Sequence, residues 1–168
     1  MAVKSKSRRG RPGKGTRAGR HVGTSTRAGI RNARVERYDI DLLIKHPDMS
    51  PDAITKALGL RPQYFWRRGE PRRTPGGTEL GGIHNETMWR HTIRKKGRRF
   101  FEGLWAFLSR LQPKRDVLAQ LVSGGGTMTL IINLPGDVNM GDVLEPRTLR
   151  LMSELGVELG VEVFPKMK

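Results

Sequence analysis

Tyr38, Ile40, Leu42 and Ile44 alternate with Asp39, Asp41, Leu43 and Lys45, and this period of two predicts a strand with one face buried. Asp39 and Asp41 fall on its outer face, where acids on an amphipathic strand are ordinarily solvated. Ser50-Pro51-Asp52 supplies an N-cap, a proline at the first helical position and an acid in the first turn, and Gly59 and Pro62 stop the chain after Leu58. A short helix fits between. Residues 63–68 read as a second strand, followed by a Gly- and Pro-rich loop to about Ile83. The strand 87–94 puts Trp89, His91 and Ile93 on one face and would pair with the second strand as a long-looped hairpin.

Residues 100–111 carry apolar side chains at 100, 101, 104, 105, 107, 108 and 111, a helical stripe wide enough to cover a sheet face. A second short helix over 114–122 follows Pro113. Gly124-Gly125-Gly126 then turns the chain into a strand over 127–134, whose Met128, Leu130, Ile132 and Leu134 face inward. A helix over 146–155 ends at Gly156, and Val157, Leu159, Val161 and Val163 define a closing strand. This order implies an α+β fold: a mainly antiparallel sheet with helices packed on one face, a ferredoxin-like variant. Trp66, Trp89 and Trp105 are expected to point into its core.

The hydrophobic pattern begins only after Glu36. Residues 1–36 hold eleven Lys or Arg against one acid, about ten of the chain's sixteen net positive charges. So little apolar surface cannot offset the entropy of ordering, and the organisation expected is a disordered basic tail, 1–36, and one domain, 37–168. Thr16-Arg17-Ala18-Gly19 recurs as Thr26-Arg27-Ala28-Gly29, which is low complexity and no structural repeat. Cysteine is absent, excluding disulfides and thiolate chemistry. The longest apolar run, 128–134, is far too short to span a bilayer, so a cytoplasmic protein without membrane association is expected.

Several stretches together resemble an uncharacterised family of small bacterial proteins known only as a domain of unknown function. They are Ile44-Lys45-His46-Pro47, Ser50-Pro51-Asp52-Ala53-Ile54-Thr55 with Leu58-Gly59-Leu60-Arg61-Pro62, Trp66-Arg67-Arg68-Gly69-Glu70, Trp89, and the segment from Leu155 to Phe164. The resemblance covers roughly residues 38–164. It implies a compact α+β domain and carries over no catalytic residue. Two departures stand out: members begin close to the first strand, and Val163-Phe164 replaces an acidic-aromatic finish.

Charge suggests the partner. Arg9-Gly10-Arg11-Pro12 resembles the core of an AT-hook, in which arginines enter a narrow A·T minor groove and glycine lets the backbone lie deep. With Arg8 and Lys14 these residues are candidate nucleic-acid contacts. Arg94, Lys95, Lys96, Arg98 and Arg99 form a second cluster at the start of the 100–111 helix, where cations oppose the dipole. Their charges and the free N–H groups of the first turn would converge on a phosphate. Arg67, Arg68, Arg72 and Arg73 would extend that surface if the hairpin brings them near; Arg90 shares a strand face with Arg94.

Other chemistries fare worse. His84, Glu86 and His91 do not make a metal site, because alternation sends His91 to the opposite face. There is no G-x-S-x-G elbow, and no phosphate loop because Gly126 has no lysine after it. The reading is a non-enzymatic binding protein without cofactor or metal, associating with nucleic acid through its tail and the basic surface at 94–99. The alternative is an antitoxin-like or similar protein-binding module whose tail is irrelevant, or arises from a start placed upstream of an initiator at Val35.

Overall fold

The computed structural model describes residues 36–165. Its elements run β1 (Arg37–His46), α1 (Pro51–Leu58), β2 (Tyr64–Trp66), β3 (Pro71–Arg73), β4 (Glu79–Ile83), β5 (Thr87–Lys96), α2 (Phe100–Leu111), α3 (Arg115–Ser123), β6 (Thr127–Pro135), α4 (Pro146–Leu155) and β7 (Glu158–Phe164). A 3-10 turn, Gln112–Lys114, joins α2 to α3. The main sheet has the order β2-β5-β1-β6-β7, antiparallel throughout except for the parallel pair β6–β7. In the first four strands β5 lies between β2 and β1, and β1 between β5 and β6. This is the interleaved order of a ferredoxin-like split βαβ, and β7 extends it through the crossover helix α4.

The loop expected over 69–83 contains a small two-stranded sheet, β3–β4. Its strands are exposed throughout, and Gly81 and Gly82 adopt positive φ, so no alternating apolar pattern announces them. A tight turn closes the hairpin, with Gly77 N–H donating to the Thr74 carbonyl at 2.8 Å.

Tyr38, Ile40, Leu42 and Ile44 build the core face of β1, and all four α-helices bury side chains in the same cluster: Ile54 and Leu58, Leu104 and Leu108, Leu118 and Leu121, Leu151 and Leu155. Both ends of α1 have a local cause. Ser50 Oγ accepts from Ala53 N–H at 3.2 Å, and the left-handed Gly59 returns its N–H to Thr55 O at 2.9 Å. Trp89, completely buried, donates its indole N–H to Thr55 Oγ1 at 3.0 Å, so α1 is tied to the middle of the sheet.

The glycine run before β6 has a packing reason as well as a turning one. His46 Nδ1 accepts from the N–H groups of Asp48 and Met49 at 3.0 and 2.8 Å, which places the ring proton on Nε2. That edge of the ring lies against the glycines: a Cβ on Gly124 would come within 2.8 Å of Nε2, and one on Gly126 within 2.7 Å of Leu121 O. Only hydrogen fits at either position.

Candidate functional site

Helices cover one face of the sheet. Residues one step out of phase with the core line the other, and the register brings together Asp39, Asp41, Leu43 and Lys45 of β1, Met88, Arg90, Thr92 and Arg94 of β5, and Thr127, Thr129, Ile131 and Asn133 of β6. Tyr64 and Trp66 extend this face on β2, and Glu158 and Glu162 on β7. Among the described residues, no helix packs against it. A groove of about 280 Å³ runs across it, with Leu43, Met88 and Ile131 between the polar ends of Lys45, Arg90 and Glu162, and with Trp66 at one side.

Asp41 lies beneath this groove and is only 1% exposed. The expectation of a solvated acid is therefore corrected. Asn133 Nδ2 donates to Oδ2 at 2.6 Å, Thr92 Oγ1 donates to Oδ1 at 2.5 Å, and the Arg90 guanidinium makes a short ion pair to Oδ2. Three donors from two flanking strands thus hold one carboxylate, as a buried charge requires. With its oxygens so engaged, Asp41 orients Arg90 and leaves its half-exposed guanidinium as the group presented outward.

Asp39, one step along the same face, is half-buried. Burial pushes its carboxyl pKa above the ordinary value; Arg94 opposes that shift and Asp41 adds to it. A carboxyl raised in the folded state is most favourable to folding below its unfolded pKa, and the advantage is lost as pH rises through the folded pKa. Asp39→Asn is therefore expected to raise the melting temperature slightly at pH 7, by a margin that vanishes as pH falls below about 4. Thermal unfolding across that range checks this; a gap that persists unchanged at acid pH, or has the opposite sign, rules it out.

The five basic residues of the second cluster do not share one surface. Arg94 lies opposite Asp39 on the groove face, and Lys96 follows two positions along the same strand. Lys95 pairs with Tyr38 and so belongs to the helix side, while Arg98 and Arg99 occupy the turn into α2. The α2 terminus is not open either. Asp142, brought in by the loop before α4, accepts the Phe101 N–H at 2.8 Å, and Glu102 pairs with Arg99 at 3.5 Å. A carboxylate of the chain itself sits where the sequence suggests a phosphate. Burial, followed by the nearby Asp142 and Glu102 charges, raises the pKa of the neighbouring Tyr38 hydroxyl.

Of the four arginines of the hairpin, all but Arg72 are likewise committed. Arg67 pairs with Asp52 at 2.7 Å and with Glu70 at 3.5 Å, Arg68 with Asp48, and Arg73 with Glu79 at 3.0 Å. Trp66 is not core: it lies on the groove face, stacked on His84 with ring centroids 4.4 Å apart. Trp105 is half-buried beneath the Arg147 guanidinium at 4.8 Å. Of the three tryptophans, Trp89 alone is buried as expected. His91 is on the helix side, its Nδ1 2.7 Å from Arg61 O, and no group of three or more His, Asp or Glu among the described residues is placed to hold a metal ion. Arg8, Arg9, Arg11 and Lys14 lie outside the described residues.

No motif in the sequence marks Asp41, Thr92, Asn133 or Tyr64 as part of a site. The first three are ordinary polar residues until the register aligns them, and no spacing within one strand signals the contact. The only trace is an acid held in the middle of a strong strand, where aspartate is disfavoured.

Fold and groove together define an α+β domain with one helix-covered face and one open face of mixed charge. No helix among the described residues is long and apolar enough to cross a membrane. The chain belongs to the family described as domain of unknown function DUF4279, which matches residues 36–164. The match agrees with the expectation of a domain of unknown function over this span, and no enzymatic family is identified. No curated protein and no solved structure matches the chain.

Proposed function

We propose that this is a non-enzymatic nucleic-acid-binding protein whose open sheet face receives a single strand and whose basic N-terminal segment adds phosphate contacts. The observation that carries this reading is the row Arg90, Arg94 and Lys96 along β5, flanked on β2 by the half-exposed ring of Tyr64, which meets Trp66 edge-on at 5.7 Å. Cations along one face of a strand can follow a phosphate backbone, and a neighbouring aromatic ring offers a base a stacking surface without requiring a particular sequence. Residues 1–36 add about ten positive charges for contacts of the same kind.

Fluorescence anisotropy of the full chain with a short labelled single strand tests the proposal. Affinity should fall steeply with salt, and deleting residues 1–35 should flatten the slope of log affinity against log salt. Lys96→Glu should lower the slope by about one phosphate contact. Tyr64→Ala should cost about 1–3 kcal/mol, the value of one base stacked on an aromatic ring. Arg9→Ala with Arg11→Ala should abolish any preference for A·T-rich duplex. If Tyr64→Ala and Lys96→Glu leave binding unchanged while tail deletion abolishes it, the open face is not the interface.

A further inference from the structure

Strand β7 forms one edge of the main sheet, paired with β6 on its inner side and with no strand on its outer side among the described residues. Its seven residues, Glu-Leu-Gly-Val-Glu-Val-Phe, contain no proline and no lysine, and its ladder to β6 runs from Thr129–Glu158 to Pro135–Phe164 without a register shift. Lysine, proline and a bulge are devices by which edge strands are protected from pairing with another chain, and β7 has none of the three. Val161 and Val163 face the helix side yet remain 50% and 62% exposed, and Phe164 is 41% exposed on the opposite face. The other edge, β2, is only three residues long.

We propose that β7 pairs antiparallel with β7 of a second copy of this chain, joining two five-stranded sheets into one continuous sheet across a two-fold axis at Val161. The strand's own sequence selects that register. A two-fold axis normal to the sheet keeps the helices of both copies on the same side and requires each residue to meet a partner of its own face. Centred on Val161, Leu159 meets Val163 and Val161 meets itself on the helix side, while Glu162 meets Gly160 and Glu158 meets Phe164 on the other. All seven residues pair, and no acid faces an acid. Slipping the centre by one residue toward the N-terminus sets Glu158 against Glu162, and by one toward the C-terminus sets Glu162 against itself. Like charges directly opposite one another destabilise a ladder. The centred register also covers the valines left exposed in the single copy.

The chain has no cysteine, so a single introduced one reports the register without background. Opposed residues in an antiparallel pair hold their Cβ atoms about 4.5–5.5 Å apart, near the spacing of a disulfide. Full-length Val161→Cys should therefore form a disulfide-linked dimer on mild oxidation. Val163→Cys, whose two copies would lie roughly 13 Å apart along the strands, should not, nor should Leu80→Cys on the β3–β4 hairpin. Light scattering of the unmodified full chain, in salt high enough to screen its charge, should give twice the chain mass. Val161→Lys should return it to the monomer with an unchanged circular dichroism spectrum, because the side chain is half-exposed in the single copy. A monomer at every concentration, crosslinking of Val161→Cys no faster than of Leu80→Cys, or preferential crosslinking of Val163→Cys would overturn the proposal.

Discussion

Replacing Asp41 by alanine is expected to destabilise the domain by roughly 2–4 kcal/mol, among the larger effects of any substitution on the sheet. The carboxylate accepts from Asn133, Thr92 and Arg90, and its loss strands the Asn133 amide in a site only 5% exposed. Arg90 can turn to water, being half-exposed, so its share of the loss is the smaller one. Asn133→Ala and Thr92→Val each remove one donor and should cost less, about 1 kcal/mol apiece. Because the three donors share one acceptor, combining either with Asp41→Ala should cost less than the sum. Urea unfolding checks the series. A change within about 0.5 kcal/mol for Asp41→Ala, the range of ordinary surface substitutions, would mean the carboxylate is not the centre of a buried network.

The second large effect concerns Gly103, where local and tertiary reasoning give opposite signs. Glycine in a helix interior is about 1 kcal/mol less favourable than alanine, so helix propensity alone predicts that Gly103→Ala stabilises α2. In the folded domain, however, a Cβ at this position would lie 2.2 Å from the Tyr38 hydroxyl oxygen and 3.2 Å from Cζ. Tyr38 is buried and its hydroxyl donates to Arg99 O at 3.3 Å, so the ring has little room to retreat. Gly103→Ala is expected to destabilise by roughly 1–3 kcal/mol, the usual cost of overpacking a core. Tyr38→Phe removes the nearest atom and should recover part of that loss, making the double variant more stable than Gly103→Ala alone. Equal stability of these two, or a more stable Gly103→Ala, would show that the ring gives way.

Both cases show how two parts of the chain acquire their meaning from each other. Asp41 and Asn133 are separated by 92 residues, Phe101 and Asp142 by 41, and Tyr38 and Gly103 by 65. None of these pairs leaves a periodic trace. An aspartate in an alternating strand looks solvated, a helix preceded by four cations looks open to an anion, and a glycine within a helix looks like a weakness. The docked chain reverses all three.

The basic surface followed the same logic. Placing Arg90 and Arg94 on one face needed only strand alternation, and the β1–β5 register bears it out. The grouping of Lys95 with Lys96 ignored that alternation, which separates neighbours in a strand to opposite faces. Trp66 is out of phase for a related reason: three residues of β2 are too few to show which face is buried, and pairing with Met88 decides it.

What the sequence by itself determined is what depends on neighbours in the chain. The alternation of β1 and β6, the amphipathic stripe of α2, the caps at Ser50, Gly59 and Gly156 and the charge concentrated before residue 37 each arise within a few residues. The α+β class follows from the order of those elements. Only the tertiary structure decided the β2-β5-β1-β6-β7 order, the β3–β4 hairpin, the burial of Asp41 and the capping of α2 by Asp142. Local propensities act over one turn of helix or one pleat of strand. Register, the covered face and the partner of a distant carboxylate are set by packing and desolvation when those elements meet.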